Sequence, residues 1–158
     1  ACDSEALRLA RRARVLVATP RLGLPLIRST GLTLDALVGS ANDPGERYAP
    51  GDLDPAPGVY VGTEGARGGF SLPGGRFRAQ QRSAKQQEGG DGDSDGDSYG
   101  AGDSFAAGFT TALAAGWSLE QALTLGGRCG AACTTGRGAY AGQIDAAAAG
   151  LPLGSVGN

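Results

Sequence analysis

The residues best suited to chemistry run Asp97-Ser98-Tyr99-Gly100-Ala101-Gly102-Asp103, followed by Ser104-Phe105-Ala106-Ala107-Gly108-Phe109. Glycines bracket a carboxylate just where a helical pattern begins. That sets several free backbone N–H groups and the Asp103 side chain at a helix N-terminus. Such a terminus attracts anions through its unpaired donors and its dipole. An Asp beside a bound phosphate is no ligand of it, because the two anions repel. It makes sense there if it takes a proton from a hydroxyl that attacks phosphorus. The chemistry predicted is phosphoryl transfer; the blander alternative is a helix cap with Asp103 as a first-turn charge.

A second segment of interest is Thr63-Glu64-Gly65-Ala66-Arg67-Gly68, where a strand ends in a hydroxyl and two glycines. Glycines there let the backbone approach a ligand closely, although an ordinary β-turn has the same composition. A rival site is Asp91-Gly92-Asp93-Ser94-Asp95-Gly96, which satisfies the opening of a calcium loop. The acid expected at the twelfth position is Gly102 instead, and no helical pattern enters from the N-terminal side. A solvated acidic loop is the simpler reading of that run.

Composition narrows the field further. The 158 residues suffice for one ordinary domain with its own core. A formal charge of −2, with both signs mixed, gives no electrostatic case for nucleic acid or an anionic membrane. No apolar run approaches membrane-spanning length and no signal-peptide layout is visible, so the expected location is the cytoplasm. The chain lacks His altogether, which removes Ser-His-Asp and Cys-His catalysis and most transition-metal sites. Acid–base work must rest on carboxylates. Three cysteines are too few and too scattered for a disulfide scaffold or a zinc site, and Cys129 and Cys133 read as small buried thiols.

The elements that must position these residues alternate. Ser4 is placed to cap a short helix, Val15–Ala18 reads as a buried strand, and an apolar segment runs through Ile27. Residues 34–39 and 58–62 give two more strands, a pattern that signals a parallel sheet with crossover helices. Phe70–Leu72, the turn Pro73-Gly74-Gly75 and Arg76–Arg78 predict a small hairpin. From residue 80 to 96 the composition turns polar and no large apolar residue appears, so a mobile loop is expected. Helical periodicity resumes at Gly102, with Phe105, Phe109, Ala112 and Leu113 on one face. Ser118 and Gln121 form a capping box for a last helix. Its face of Ala122, Leu123, Gly126, Gly130 and Cys133 is small enough for close packing on the preceding helix. The tail from Ala146 is expected to be weakly structured.

In combination and in this order, the two glycine motifs resemble the ribokinase-like (PfkB) carbohydrate kinases. The C-terminal signature of that family, Asp-Thr-x-Gly-Ala-Gly-Asp-x-Phe-x-x-Gly, is matched from Asp97 to Gly108 with Ser98 replacing Thr. The resemblance extends roughly from Leu7 to Gln143. It implies an α/β, Rossmann-like ribokinase fold, here its C-terminal nucleotide-binding half, with a parallel sheet and flanking helices. It implies one partial kinase domain over residues 1–158. It also implies that Asp103 is the catalytic base and that Gly100, Ala101 and Gly102 form the anion hole. Thr63, Gly65 and Gly68 would line the nucleotide site, and the segment around Gly138 would close over the adenine. The expected cofactors are ATP and Mg²⁺, with a monovalent cation such as K⁺ near Asp97. The expected partner is a small sugar, and the oligomeric state is left open.

Three departures from the family pattern qualify the expected activity. Members are about twice as long, and the half carrying most sugar-binding residues and a lid is missing here. With Ala1-Cys2-Asp3 at the start and no initiator Met, we expect a piece of a longer protein. The family's Asn-x-x-Glu pair is replaced by Asn42-Asp43-Pro44-Gly45-Glu46, one residue too long, so Glu46 alone is kept as a metal-organising candidate. Finally, the polar run before Asp97 stands where the family has an apolar strand. The expected alternatives to a sugar kinase are therefore a non-catalytic nucleotide-binding fragment and a calcium module through Asp91–Asp95.

Overall fold

The computed structural model describes residues 3–80, 100–135 and 142–150. It divides into two compact units, 1–79 and 80–158.

The first unit is built on a sheet. Helix α1 (Ser4–Ala10) is capped by Asp3, whose carboxylate accepts the Ala6 N–H at 2.8 Å. Ser4, the cap expected from sequence, is instead the first helical residue. The longer acceptor one residue earlier wins, as Asp and Ser are equally good caps. Strand β1 is reduced to Val17–Ala18, and helix α2 (Leu24–Thr30) ends at Gly31 in the left-handed conformation. Strands β2 (Ala36–Ser40) and β3 (Val59–Thr63) each have four buried residues followed by one partly exposed. An unbroken apolar run of this kind is what a strand covered on both faces requires.

The sheet order is β1-β2-β3-β4-β5, with β4 at Gly69–Leu72 and β5 at Gly75–Phe77. The first three strands are parallel, and the expected hairpin adds two antiparallel strands to their edge. The β2–β3 register sets Gly39 beside Gly62 and Ser40 beside Thr63. Gly62 has a packing reason: a Cβ there would lie 2.6 Å from Cζ of Phe70. The core gathers Leu7, Leu16, Ile27, Leu34, Leu37, Leu53 and Tyr60. Tyr48 and Phe70 flank Tyr60 with ring centroids 4.9 and 5.7 Å away. The long β2–β3 connection is thus tied down through Tyr48 and Leu53, and through Arg28, which donates to the carbonyls of Gly51 and Asp52.

Asp35 joins α1 to the sheet. Its Oδ2 accepts the Leu16 N–H at 2.7 Å and the Arg11 guanidinium at 2.6 Å. Partial burial would raise this carboxyl, but the Leu16 N–H and then Arg11 outweigh it and hold it below its ordinary value. A folded value below the unfolded one stabilises fully above the ordinary Asp pKa, about 3.9. That contribution is lost as pH falls through the lower folded value. Asp35→Asn is expected to cost about 1–2 kcal/mol at neutral pH. The figure stays small because the side chain is 40% exposed and solvent screens the pair. Thermal melting from pH 7 to pH 2 checks this. The variant should show a flatter acid limb, and an unchanged limb would remove Asp35 as its source.

The second unit is helical. Helix α3 (Ala101–Ala114) packs on α4 (Leu119–Cys133) through much of the face expected from sequence, but Leu113 is only partly buried, and Leu125, Cys129 and Ala132 are buried as well. The packing is close because glycines stand at the crossing. A Cβ on Gly126 would lie 2.9 Å from the Phe105 carbonyl oxygen, and one on Gly130 would lie 3.1 Å from that of Ala101. Phe105 and Phe109 stack with centroids 6.1 Å apart. The Ser118–Gln121 capping box is present, with both of its hydrogen bonds formed. Cys129 and Cys133 are buried, and burial pushes the Cys129 thiol up, away from the reactive thiolate.

The start of the tail, residues 146–150, is more ordered than composition suggests, and residues 151–158 lie outside the described residues. Asp145 caps a short helix α5 (Ala146–Ala149) by accepting the Ala148 N–H at 2.7 Å. Apart from Gln80, the polar 80–96 stretch lies outside the described residues. Among the described residues, no helix is long and apolar enough to cross a membrane.

Candidate functional site

In the first unit, candidate residues collect beyond the carboxyl ends of β2 and β3, where ligands of open α/β sheets bind. Thr63 ends β3, and its hydroxyl donates to the Gly39 carbonyl at 3.3 Å, bracing the ends of the two strands. The chain then makes a tight helical turn over Gly65–Arg67, closed by the Glu64 N–H on the Gly68 carbonyl at 2.7 Å. Gly65 has φ +62° and no described atom within 4 Å of where a Cβ would stand. Gly68, at φ +87°, is glycine for an internal reason as well. A Cβ there would run into the Phe77 carbonyl and the Ala79 backbone. Arg67 reaches across to Asn42 Oδ1 at 3.0 Å, which joins the loop after β3 to the loop after β2.

Glu46 lies in that second loop, on a helical turn (Pro44–Glu46) capped by Asp43. Both of its oxygens are engaged. Oε2 accepts the Ser40 N–H at 2.7 Å, and Oε1 accepts Arg21 Nε at 2.6 Å. Arg21 also donates to Asp43 at 2.6 Å. Its guanidinium is raised above its ordinary pKa, first by the hydrogen bond to Glu46 and then by the charges of Glu46 and Asp43. Sequence reasoning missed Arg21, because an exposed arginine after a proline carries no signal of the two acids it will meet. Glu64 similarly holds Arg76 at 2.6 Å. Among the described residues, no group of three or more His, Cys, Asp or Glu side chains is arranged to cage a metal. A cation at this edge would have to be shared with ligand oxygens and water, the habit of Mg²⁺.

In the second unit, Gly100, Ala101, Gly102 and Asp103 form a single turn. Gly100 is the N-cap of α3 in the left-handed conformation, φ +83°, and supplies no side-chain cap. The first intrahelical bond is the Ser104 N–H on the Gly100 carbonyl at 2.8 Å. The N–H groups of Ala101, Gly102 and Asp103 precede it, so the helix itself does not use them. Asp103 is exposed in this first turn, while Ser104 beside it is buried. Gly102 has no positive φ, and no atom of the described residues lies within 4 Å of where a Cβ would stand. Unlike Gly68, Gly126 and Gly130, it has no reason among the described residues to be glycine. The two groups of candidates belong to separate units. Asp97, Gly138 and the Asp91–Asp95 run lie outside the described residues.

The profile of the pfkB family carbohydrate kinases matches residues 95–146, the stretch holding this turn and both long helices. None of the curated proteins matches the chain. Among solved structures it is similar to a PfkB protein from Polaromonas sp. JS666, at a TM-score of 0.53 and 22% identity. That likeness covers 84% of this chain and 47% of the other, so the chain spans about half the length of the solved relative. The chain thus shares part of the ribokinase-like fold of the pfkB carbohydrate kinases and carries their sequence pattern from residue 95 to residue 146.

Proposed function

We propose that the chain is the nucleotide-binding part of a carbohydrate kinase, both units belonging to one partial kinase domain. The reaction is transfer of the γ-phosphoryl group of ATP to a hydroxyl of a small sugar, in the cytoplasm. The observation that carries this reading is Gly102: a glycine in a helical first turn, next to N–H groups the helix does not use and a carboxylate, with no described atom over it. Absence of a side chain there admits an anion to the backbone.

Each residue then has a role. The amides of Gly100, Ala101 and Gly102 stabilise charge on the transferred group, and Asp103 takes the proton of the sugar hydroxyl. Thr63, Gly65 and Gly68 border the nucleotide, with Gly138 near the base. Mg²⁺ supplies neutralisation of phosphate charge when bound, and Glu46 is the residue proposed to order its water shell, after exchanging Arg21. A K⁺ near Asp97 remains part of the proposal. Because phosphoryl transfer has a loose transition state, placement counts for more than base strength. As the chain spans about half of its solved relative, we expect feeble turnover by the chain alone.

Gly102→Ala tests the reading with two opposite signs. Nothing in the described chain opposes the methyl group, so helix propensity should stabilise α3 by up to about 1 kcal/mol. The same methyl group stands where the phosphate must approach, and calorimetry should show Mg-ATP affinity falling by about ten-fold or more. A more stable variant with unaltered affinity would sink the anion-hole assignment. Titration of the parent chain with Mg-ATP and with Ca²⁺ separates the kinase reading from the calcium loop at Asp91–Asp95. Binding of neither would sink both.

A further inference from the structure

We propose that Gln143 is a positioning residue that acts through Ser104 to fix the turn carrying Gly102 and Asp103. The functional consequence rests on the kinase reading; the positioning itself does not. A helix normally fixes its first turn with an N-cap side chain, but α3 begins at Gly100 and has none. Ser104 is 5% exposed, and a buried hydroxyl costs stability unless it is hydrogen-bonded. Its partner comes from far along the chain. The Gln143 amide Nε2 donates to Ser104 Oγ at 2.8 Å, 39 residues away in sequence.

The segment bearing Gln143 is seated at both ends, so the side chain is delivered rather than met by chance. On one side, Gly142 packs against the Ala132 carbonyl so closely that a Cβ could not be accommodated. On the other, Asp145 caps α5, Ala149 is buried, and Arg128 of α4 donates to the Ala148 carbonyl at 2.7 Å. Together with Gly130, which lets α4 approach the Ala101 carbonyl, this braces the first turn of α3 from outside the helix. A short displacement of such a turn is enough to lower function strongly, because catalysis and anion binding depend on placement.

Amide hydrogen exchange by NMR on the full chain tests the proposal. Gln143→Ala should speed exchange of the Ser104 and Phe105 amides about ten-fold while the amides of α4 keep their rates. Mg-ATP affinity should fall several-fold in the same variant. Gln143→Glu, whose carboxylate can accept the Ser104 O–H, should restore the exchange rates, while its added negative charge beside the turn keeps Mg-ATP affinity low. Arg128→Ala removes only one of the contacts that seat the segment, so it should loosen α5 and speed the Ser104 amide far less than Gln143→Ala does. The proposal is overturned if Gln143→Ala leaves the Ser104 amide unchanged, if α4 loosens equally, or if Arg128→Ala has the same effect. A parent chain that fails to bind Mg-ATP would defeat the kinase reading, and the exchange rates would still decide the role of Gln143.

Discussion

Asp103→Asn should remove sugar-dependent ADP release while leaving Mg-ATP affinity within about two-fold of the parent. General-base assistance contributes about 10²–10⁴-fold, so the feeble turnover expected of the chain would fall to the background of a radiometric phosphate-transfer assay. The substitution keeps shape and removes the proton acceptor. Asp103 is exposed and takes no part in the buried α3–α4 face, so loss of activity cannot be ascribed to unfolding. Undiminished release would refute the role of Asp103 as base. Weakened nucleotide binding in step with activity would point instead to a residue that shapes the turn.

The largest effect on stability is expected at Phe109, whose side chain is fully buried in the second unit. Phe109→Ala removes a large apolar side chain and leaves a cavity that two helices meeting through glycines cannot readily collapse. Such truncations cost about 3–5 kcal/mol, against a total of about 5–15 kcal/mol for an ordinary domain. Chemical denaturation should show the transition of the helical unit shifted to much lower denaturant. A loss below about 1 kcal/mol would mean that the α3–α4 contact contributes far less than its burial suggests.

The sequence was most legible where one physical rule acts locally. The Ser118–Gln121 box and the hairpin around Pro73 appear where their residues required, because capping and turn chemistry are short-range. The two central strands were visible for a related reason, since an unbroken run such as Ala36-Leu37-Val38 has no other stable place. The small-residue face of α4 foretold close packing, though not which atoms would fill the space. Contacts between distant segments were not legible. Arg21 meeting Asp43 and Glu46, or Gln143 meeting Ser104, depends on how whole elements are laid beside one another. The glycine motif after β3 was only half legible: composition could not tell that Gly68 serves the chain's own hairpin. The start of a helix within Gly100–Asp103 was readable because glycines and a first-turn acid mark an N-terminus, whereas the chemistry assigned to Asp103 remains a proposal.

The helical glycines carry a warning for anyone rebuilding this chain. Routine stabilisation replaces glycine in helices by alanine, on the assumption that each exchange gains the same small increment. Here the exchange has different consequences at neighbouring places: the Phe105 carbonyl opposes it at Gly126, the Ala101 carbonyl must yield by a few tenths of an ångström at Gly130, and nothing in the described chain resists it at Gly102. A selection for heat resistance alone would therefore drift toward filling Gly102, the one described helical glycine that no described atom guards. Robustness and function would part company at a single hydrogen atom.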